Sequence, residues 1–538
     1  MRRSVFTLAC VLALTLAGMT PAFATGPGGW DHVGVGSTST TPSLQSGSSV
    51  TAMNTDNPGV LYVGGNFTSA GGNAKAKRIA RWNGTSWSAL GNGLPDGGVF
   101  AIAYDKQTDR VFAGGTFHDA GGNANADFLA VWDGATWAPF CTRMAGGPGP
   151  TFGGSVAALQ IIGNTLYVGG AFQNGAGLDA ADYLLACDLT TGDSSSTVLN
   201  DGDFTGAVYA LTADSNGVLY AGGGFINLDQ IPAADHVAAY DGAWHAMGGD
   251  NDVNTFVRSL TAHGTDVYVG TDAVNVAGIP QADHVVRWNG ASWSAVGTNT
   301  ATTDGWFPTT AFIYALADYG SIVVAAGSFQ NANGTAAADS IAYFDGTRWR
   351  PVGSDGAGNG PFSGNGTALG IALGHVYLGG NFTSAGGDTL SRSIAAYALR
   401  LPDASIAATS GGSYVGNNVY SPTGAGEVRH VTVTRGKSVT SYVKIQNDGL
   451  MSASFKVKGA GGATGIRSHY YIGTTSITAD VHAGTYATAT ITPRASIVIR
   501  VVVTVAKSSA ASTTFTTTAR STAGTPPDAV RIAVNATS

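Results

Sequence analysis

The sequence has little charge and almost no glutamate. Only 11% of its 538 residues are charged, and Glu427 is its one glutamate. The other acidic residues are aspartates, which suit turns and caps. The formal net charge is −7, and no run of basic residues occurs. Binding of nucleic acid or of an anionic membrane needs a basic patch, so we expect neither as a partner.

Common catalytic signatures are absent as well. The sequence contains no G-x-S-x-G, H-E-x-x-H, phosphate-loop or C-x-x-C motif. A glycosidase would need two carboxylates about 5 to 10 Å apart. Aspartates could supply them, but the sequence does not select a pair. Enzymatic activity is therefore an alternative and not the main interpretation.

Cysteine is scarce, and the two cysteines beyond the leader occur in successive repeats. They are Cys141 and Cys187. An oxidising compartment would permit a disulfide between them, provided that their Cα atoms lie within about 7 Å. The other interpretation is two small buried residues.

The first 24 residues have the pattern of a secretory signal. Two arginines precede an apolar run over residues 5–19, and Ala-Phe-Ala ends the segment. The run is shorter than the roughly 20 residues that a membrane anchor needs, and no other stretch could span a bilayer. We expect a signal peptide at 1–24, no membrane insertion, and a secreted or cell-surface protein.

The 78 glycines include a pair that recurs seven times, as in L-Y-V-G-G-N-F. The copies lie at 61–67, 111–117, 166–172, 219–225, 267–273, 323–329 and 376–382. Seventeen residues after the second residue of each pair come Trp82, Trp132, Cys187, Tyr240, Trp288, Phe344 and Tyr397. Each repeat contains four short strand patterns, which is typical of propeller blades. Glycines in mid-strand indicate close backbone approach, a bulge, or tightly packed neighbouring blades.

The seventh repeat lacks the fourth strand, which elsewhere has the form W-x-x-[LVM]-G. Trp30–Gly34 precedes the first repeat and matches that form. It can complete the last blade, and a closed ring protects sheet edges. The sequence therefore predicts an all-β protein with a seven-bladed β-propeller at 28–400, closed by an N-terminal strand.

These repeats resemble the kelch and galactose-oxidase type of propeller, and also those of secreted bacterial propellers and the fungal cortical polarity marker. Such propellers include oxidases, lectin-like binders and scaffolds, so the resemblance implies the fold and not an activity. The copper site of the galactose-oxidase type uses a cysteine crosslinked to tyrosine. Neither Cys141 nor Cys187 lies in such a motif, so copper chemistry is not expected.

After Leu401 the pattern changes. Residues 401–427 are predicted to be a linker, and residues 428–538 contain about seven alternating strands without a cysteine pair. That number of strands fits an immunoglobulin-like β-sandwich. The segment K-S-V-T-S-Y-V-K-I-Q-N-D-G at 437–449 resembles bacterial Ig-like modules of surface proteins.

Variable loops between blades are the expected binding surface, because function concentrates on loops held by a rigid scaffold. They carry aromatic rings that could stack a sugar next to polar groups. The candidate ligand-binding residues are Trp306, Phe307, Asp304, Phe256 and Phe362. The alternative is that rings plug the channel mouth or begin the inner strand of a blade, which we favour for Phe256, Phe100 and Phe204.

One position in five of the repeats is acidic: Asp127, Asp182, Asp235, Asp283 and Asp339, with Lys77 and Arg392 in the first and seventh repeats. We expect these aspartates to cap turns. Their functional alternative is a carboxylate ring for calcium, the one cofactor that the pattern allows. His236 and His284 follow two of them, and we expect blade structure there and no metal site.

The sequence thus favours a non-enzymatic recognition protein that binds extracellular glycan or protein through the variable-loop face of the propeller. One alternative is a secreted carbohydrate-active lyase or hydrolase that uses Asp and His on the same face. The other is a structural surface protein.

Overall fold

The structure is a computed structural model that describes residues 29–34, 42–141, 152–178, 181–192, 194–195, 204–299, 304–320, 322–417, 419–521 and 527–538. The predicted signal peptide lies outside these residues. The described chain is all-β, with many four-stranded antiparallel sheets that are compatible with a propeller-like fold. The numbers of strands follow the chain from β1 (Trp30–His32).

Four sheets cover the first half of the repeats. Sheet I contains β2 (Val50–Asn54), β3 (Leu61–Gly65), β4 (Ile79–Trp82) and β5 (Trp87–Ala89). Sheet II contains β6 (Val99–Asp105), β7 (Arg110–Gly115), β8 (Leu129–Trp132) and β9 (Trp137–Pro139). Sheet III contains β10 (Val156–Ile162), β11 (Thr165–Gly170), β12 (Leu184–Asp188) and β13 (Ser194–Ser195). Sheet IV contains β14 (Val208–Ala213), β15 (Leu219–Gly223), β16 (Val237–Tyr240) and β17 (Trp244–Ala246).

Three further sheets follow the same strand order. Sheet V contains β18 (Val257–His263), β19 (Asp266–Thr271), β20 (Val285–Trp288) and β21 (Trp293–Ala295). Sheet VI contains β22 (Phe312–Tyr319), β23 (Ile322–Ser328), β24 (Ile341–Phe344) and β25 (Trp349–Pro351). Sheet VII contains β26 (Gly366–Ala372), β27 (His375–Gly380), β28 (Ile394–Ala398) and, as its fourth strand, β1. In sheets II to VI, 3₁₀ turns follow the second strand, at Ala120–Gly122, Gly175–Gly177, Leu228–Gln230, Val276–Gly278 and Ala332–Gly334.

The first strands of successive sheets contact one another in order, and β26 of sheet VII contacts β2 of sheet I. The N-terminal strand pairs antiparallel with β28, with Trp30 opposite Tyr397. The Thr51 hydroxyl donates to the Val99 carbonyl across the junction of sheets I and II, and Thr367 donates to Val50 between sheets VII and I. The same type of contact therefore joins the last sheet to the first.

The tryptophan of the W-x-x-[LVM]-G strand binds the preceding sheet. Its indole N–H donates to the carbonyl of the residue that holds the [LVM] position in the preceding sheet. The pairs are Trp137–Leu90, Trp293–Met247 and Trp349–Val296. Trp30 donates to Val352 in this way, and Trp87 donates to Val33, which follows β1. The N-terminal segment therefore takes part in two of these hydrogen bonds, with Trp30 as donor in one and Val33 as acceptor in the other.

The glycine pairs are explained by close packing, as their position in mid-strand predicted. A Cβ atom on Gly64 would lie 2.5 Å from Cγ1 of Val99 in the next sheet, closer than real Cβ atoms come to their neighbours. A Cβ on Gly65 would fall against the carbonyl oxygen of Ser49. Where Ala326 replaces the first glycine of a pair, the facing residue is Gly366 and not valine. At this contact, one of the two facing residues is therefore still a glycine.

The remaining strands form two more sheets. One contains β29 (Pro402–Ala407), β31 (Ser438–Asn447), β33 (Gly462–Ala463), β34 (Ile466–Ile472), β35 (Thr475–Ser476) and β37 (Ser496–Val505). The other contains β30 (Val428–Thr434), β32 (Phe455–Gly459), β36 (Tyr486–Ala487), β38 (Ser512–Ser521) and β39 (Asp528–Thr537). Both contribute to one apolar core. A short helix, α1 (Thr478–Ala483), packs on β32.

The predicted linker differs from the structure over its first residues. Residues 402–407 form β29, which is buried throughout and pairs antiparallel with β31. Ala404 and Ile406 enter the core of the two C-terminal sheets, which accounts for this strand. No helix in the described part of the chain is long and apolar enough to cross a membrane.

Candidate functional site

Each first strand of sheets I to VII contains a β-bulge at the end where the strand begins. The pairing register shifts around one residue in every case, and the residues concerned are Thr51, Phe100, Ala157, Tyr209, Arg258, Tyr314 and Thr367. We call them the bulge residues. A bulge redirects a side chain and is often found next to a functional site. Seven equivalent bulges thus place seven side chains of five residue types at one end of the sheets.

A second set of side chains occupies left-handed backbone positions just before the third strand. Their φ angles lie between 59° and 64°, at Arg78, Phe128, Tyr183, His236, His284, Ser340 and Ser393. We call them the αL residues. Each is held by two backbone hydrogen bonds, as where His236 donates to Phe225 and accepts from Gly223. Such a conformation costs a non-glycine residue about 1–3 kcal/mol and is frequent at functional sites.

Exposed apolar side chains concentrate where these two sets meet in sheets IV to VI. Tyr209, Phe256 and Phe312 are 40%, 43% and 38% exposed, although they are large and apolar. Phe256 lies 6.3 Å from Tyr209 between ring centroids, and Phe312 stacks on Tyr314 at 6.2 Å with an interplanar angle of 6°. A clustered exposed apolar surface on a soluble protein often marks a binding site.

The centre of this surface is the guanidinium of Arg258. Its Cζ atom lies 5.9, 5.4 and 5.8 Å from the ring centroids of Phe256, Phe312 and Tyr314. Nε and Nη2 donate to the two carboxylate oxygens of Asp272, both at 2.6 Å. We call Tyr209, Phe256, Arg258, Asp272, Phe312 and Tyr314 the Arg258 cluster.

The bidentate pair fixes the plane of the guanidinium, because two parallel bonds leave it no rotation. The hydrogen bonds to Asp272 raise the pKa of Arg258 above its ordinary value, so the side chain is charged at all relevant pH. Asp272 uses two of the five N–H donors of the guanidinium. Arg258 remains 32% exposed, so the cluster presents a charged donor group between aromatic rings.

His236 borders the cluster as a neutral imidazole. Its ring meets that of Phe256 edge to face, with centroids 6.1 Å apart, and burial lowers its pKa. Its Nδ1 atom is buried and has no hydrogen-bond partner in the part of the chain that the structure describes. His284 is 1% exposed, and burial lowers its pKa too. The two histidines therefore play different parts, and only His236 adjoins the exposed surface.

The structure separates the five predicted ligand-binding residues. Phe256 is exposed in the Arg258 cluster. Trp306 and Phe307 are each 4% exposed and pack on Trp349, at 6.0 and 4.9 Å between centroids. A buried ring cannot stack a sugar, so the structure removes Trp306 and Phe307 from the candidate surface. Their loop folds inward because two adjacent large rings gain more from the core than from water.

Phe362 and Asp304 lie elsewhere. Phe362 is half-buried against Trp30 and Phe382, at 4.6 and 4.7 Å, which is a packing role. Asp304 is exposed and interacts with the buried Asp283. Burial, followed by the hydrogen bond to Asp304, raises the pKa of Asp283. The plug interpretation fits Phe204, which is 8% exposed and packs on Phe225 and Trp244. Phe100 is the second residue of β6 and Phe256 directly precedes β18, so both lie where a first strand begins, although their rings are exposed.

The predicted turn caps are confirmed at all five aspartates. Each accepts a backbone N–H from the residue eight positions before it, at 2.5–2.7 Å, at Asp119, Asn174, Asn227, Asn275 and Asn331. These donors are themselves left-handed, so the carboxylate holds a strained turn. Within the described residues, no three His, Cys, Asp or Glu side chains form a group that could hold a metal ion.

Cys141 and Cys187 form a disulfide, with their Cα atoms 5.6 Å apart. Cys141 follows the last strand of sheet II, and Cys187 lies in the third strand of sheet III. Both are buried. The bond therefore links neighbouring sheets away from the Arg258 cluster.

Sequence reasoning missed the bulge residues and the αL residues, although a signal for the second set exists. Every αL residue follows the second residue of its glycine pair by 13 positions, as Arg78 follows Gly65 and His236 follows Gly223. A fixed position with varied chemistry inside a repeat is what a binding face on a constant scaffold requires.

Comparison with known proteins adds no family. The sequence matches no protein-family profile and no curated protein. Among solved structures, the chain is similar in part to the secreted serine protease VesC from Vibrio cholerae, at 12% identity and a TM-score of 0.15. The match covers 20% of this chain and 21% of that one. The chain thus spans about a fifth of the length of that protease.

Proposed function

We propose that this protein is a secreted or cell-surface, non-enzymatic recognition protein that binds an extracellular glycan at the Arg258 cluster. The observation that carries the proposal is the set of exposed rings of Tyr209, Phe256 and Phe312 around a guanidinium fixed by Asp272. An apolar site with a few well-placed polar groups is typical of ligand binding.

A seven-bladed propeller closed by the N-terminal strand is the scaffold that we propose for this site. Support comes from the seven four-stranded sheets, the contact of β26 with β2 and the pairing of β1 with β28. The indole hydrogen bonds made by Trp30 and received by Val33 support it further. We also propose an Ig-like sandwich as attachment module, because two sheets share one core.

A glycan fits the Arg258 cluster for reasons of chemistry. The axial C–H groups of a sugar ring form an apolar face that packs on an aromatic ring, and the charged guanidinium donates to hydroxyl or carboxylate oxygens. The N–H donors that Asp272 leaves over suit an acidic or densely hydroxylated sugar. If no sugar binds, a protein partner is the alternative.

The experiment measures binding of residues 25–538 to a broad glycan and polysaccharide array, with reducing-end release assayed in the same wells. We expect binding without release. Phe256→Ala and Arg258→Lys should each weaken binding about 10- to 100-fold, since central aromatic and arginine side chains dominate binding energy. Arg258→Lys keeps the charge but loses the bidentate geometry.

Tyr319→Ala is the matched control, because Tyr319 is 42% exposed at the opposite end of β22. It should bind like the wild type. Unchanged binding by folded Phe256→Ala and Arg258→Lys would refute the site, and sugar release would favour the enzyme. If no glycan on the array binds saturably, the search turns to a protein partner or a structural role.

One observation favours the enzyme as second candidate. Asp283 is 2% exposed and has a raised pKa next to the exposed Asp304, and a carboxyl group with a raised pKa can act as a general acid. Asp304→Asn should abolish any release activity that the array detects, while Asp250→Asn, at an exposed position of another loop, should not.

A further inference from the structure

A group of buried carboxyl groups lies under the segment that joins β29 to β30. Residues 408–417 and 419–427 of this segment fold back over β29, and Val415 exchanges two backbone hydrogen bonds with Ile406, both at 2.9 Å. Ala404 and Ile406 face the core of the C-terminal sheets. Because side chains alternate along a strand, Asp403 and Ser405 lie on the opposite face, under the segment.

The side chains on that face are buried and polar. Asp403, Ser405 and Glu427 are each 0% exposed, and Asp528 is 1% exposed. Both carboxylate oxygens of Glu427 and the hydroxyl of Ser405 have no hydrogen-bond partner among the described residues. Buried polar groups without a partner are rare in native proteins and call for an explanation such as an ion or a water.

The electrostatics point the same way. Burial first, and then the charges of Asp528 and Asp403, raise the pKa of Glu427 to about 10. Burial raises the pKa of Asp528 to about 7, although it accepts hydrogen bonds from Ala404, Ser421 and Ala529. Within the described ranges, no lysine or arginine forms an ion pair with Glu427 or Asp528. Glu427 and Asp528 therefore share one buried region without an ion pair to a basic side chain.

The donor atoms available there are all oxygens. Magnesium holds its water shell and prefers strict octahedral geometry, whereas calcium accepts six to eight oxygens in flexible arrangements and uses carboxylates, carbonyls and waters together. No three carboxylates converge into a ready metal site in the described part of the chain. A cation here would consequently combine one or two carboxylates with oxygens of other kinds.

We propose that Glu427, with Asp403 and the Ser405 hydroxyl, binds a calcium ion that fastens residues 408–427 to the C-terminal sheets. The ion places a positive charge next to Glu427 and Asp528, which form no ion pair with a lysine or arginine among the described residues. It also occupies the oxygen atoms of Glu427 and Ser405 that have no other partner. This site is distinct from the Arg258 cluster and does not depend on it.

The test uses residues 25–538 treated with EDTA and dialysed free of metal. Isothermal titration with calcium chloride should give one site per chain, and calorimetry should show a rise in the unfolding temperature with calcium, since a ligand stabilises the state that it binds. Magnesium at equal concentration should have at most a weak effect.

Glu427→Gln keeps the shape but cannot ionise to hold a cation, so it should weaken calcium binding at least about 10-fold. The metal-free variant should fold and have about the stability of the metal-free wild type at pH 7, because burial raises the pKa of Glu427 to about 10 and the glutamine therefore replaces a neutral acid. Asp480→Asn, at an exposed carboxylate on helix α1, is the matched control and should bind calcium normally.

Two results would overturn the proposal. One is the absence of heat and of any shift in unfolding temperature up to about 10 mM calcium, which would mean that Glu427 is held as a neutral acid. The other is equal calcium affinity in the wild type and in folded Glu427→Gln, which would place the ion elsewhere.

Discussion

Gly64→Ala tests the close contact on which the packing of successive sheets depends. Gly64 lies in the second strand of sheet I, and an added Cβ would stand 2.5 Å from Cγ1 of Val99 and 3.1 Å from Cδ1 of Ile102. Carbon atoms pack best at about 3.5–4.0 Å. The two sheets must therefore separate by roughly 1 Å, or Val99 must leave its position.

The expected loss follows from the structure. Inserting a methyl group into a well-packed core costs about 1–3 kcal/mol, and Val99 is fully buried. Replacing glycine by alanine also removes unfolded-state entropy, which offsets about 0.4–1 kcal/mol. We expect a net loss of about 1–2 kcal/mol for Gly64→Ala. Gly65→Ala should cost more, because its Cβ meets the Ser49 carbonyl, which is backbone and accepts a hydrogen bond from Asn66.

The assay is denaturant unfolding followed by tryptophan fluorescence. All 10 tryptophans lie between positions 30 and 349, so the signal reports sheets I to VII and not the C-terminal sheets. Gly249→Ala, within the part of the chain that the tryptophans report, is the control for the entropy of the unfolded chain, because the atoms nearest to an added Cβ there are those of the Asp252 carboxyl group, at 3.4–3.7 Å.

The double variant Gly64→Ala/Val99→Ala makes the test specific. Val99→Ala alone should cost about 2 kcal/mol through lost methyl groups and a cavity. In the double variant the new methyl enters the space that valine vacates, so the combined loss should be at least about 1 kcal/mol smaller than additivity predicts. Additive losses, or an unchanged midpoint for Gly64→Ala, would refute the reasoning.

Three further predictions concern stability. Reducing the Cys141–Cys187 bond should lower the unfolding free energy by about 4 kcal/mol, since the crosslink closes a loop of 46 residues; an equal midpoint with and without reductant would contradict it. Trp306→Ala should lower the unfolding free energy by about 3–5 kcal/mol, because it removes a buried ring, whereas Phe256→Ala should lower it by less than about 1 kcal/mol. Denaturation midpoints measure both losses, and a larger loss for Phe256→Ala would mean that Trp306 is a surface residue. Asp31 is fully buried, and burial raises its pKa well above the ordinary value, so stability should fall as pH rises from about 4. Asp31→Asn should remove that fall, and a parallel pH profile would exclude Asp31 as its cause.

Much of the repeat architecture could be predicted because a single residue type reports each contact. Glycine in mid-strand indicated close approach, and the contacts of Gly64 and Gly65 confirm it. At the junction of sheets VI and VII the glycine lies on the facing strand instead, where Gly366 packs against Ala326. The N-terminal motif indicated the fourth strand of the last sheet, and Trp30 pairs opposite Tyr397 there.

The strand at 402–407 could not be predicted in the same way. Its outward residues, Asp403 and Ser405, are polar, and polar residues normally indicate solvent. Residues 408–417 and 419–427 fold back over them, and nothing in the local sequence predicts that return. Glu427, the one glutamate of the chain, was noted for its rarity but not for its place beside Asp403.

The sequence indicated the right kind of residue for an exposed aromatic surface, but two of the aromatic residues that it selected are buried. Aromatic content alone selected Trp306, Phe307 and Phe256, but burial depends on whether a loop folds into the core. Only Phe256 lies on the exposed surface. The bulge that places Arg258 depends on strand register, which a single sequence does not display.

The bulge residues have different roles at different junctions between sheets. At the junctions on either side of sheet I, Thr51 and Thr367 donate to the backbone of the next first strand, so their chemistry is committed to holding sheets VII, I and II together. In sheets IV to VI the same position carries Tyr209, Arg258 and Tyr314, which make no such bond to the next strand. Other residues hold these junctions, as where the Ser259 hydroxyl donates to the Ile313 carbonyl between sheets V and VI. One repeated backbone feature therefore links sheets on one side of the molecule and, on the other side, leaves three side chains for the site that we propose.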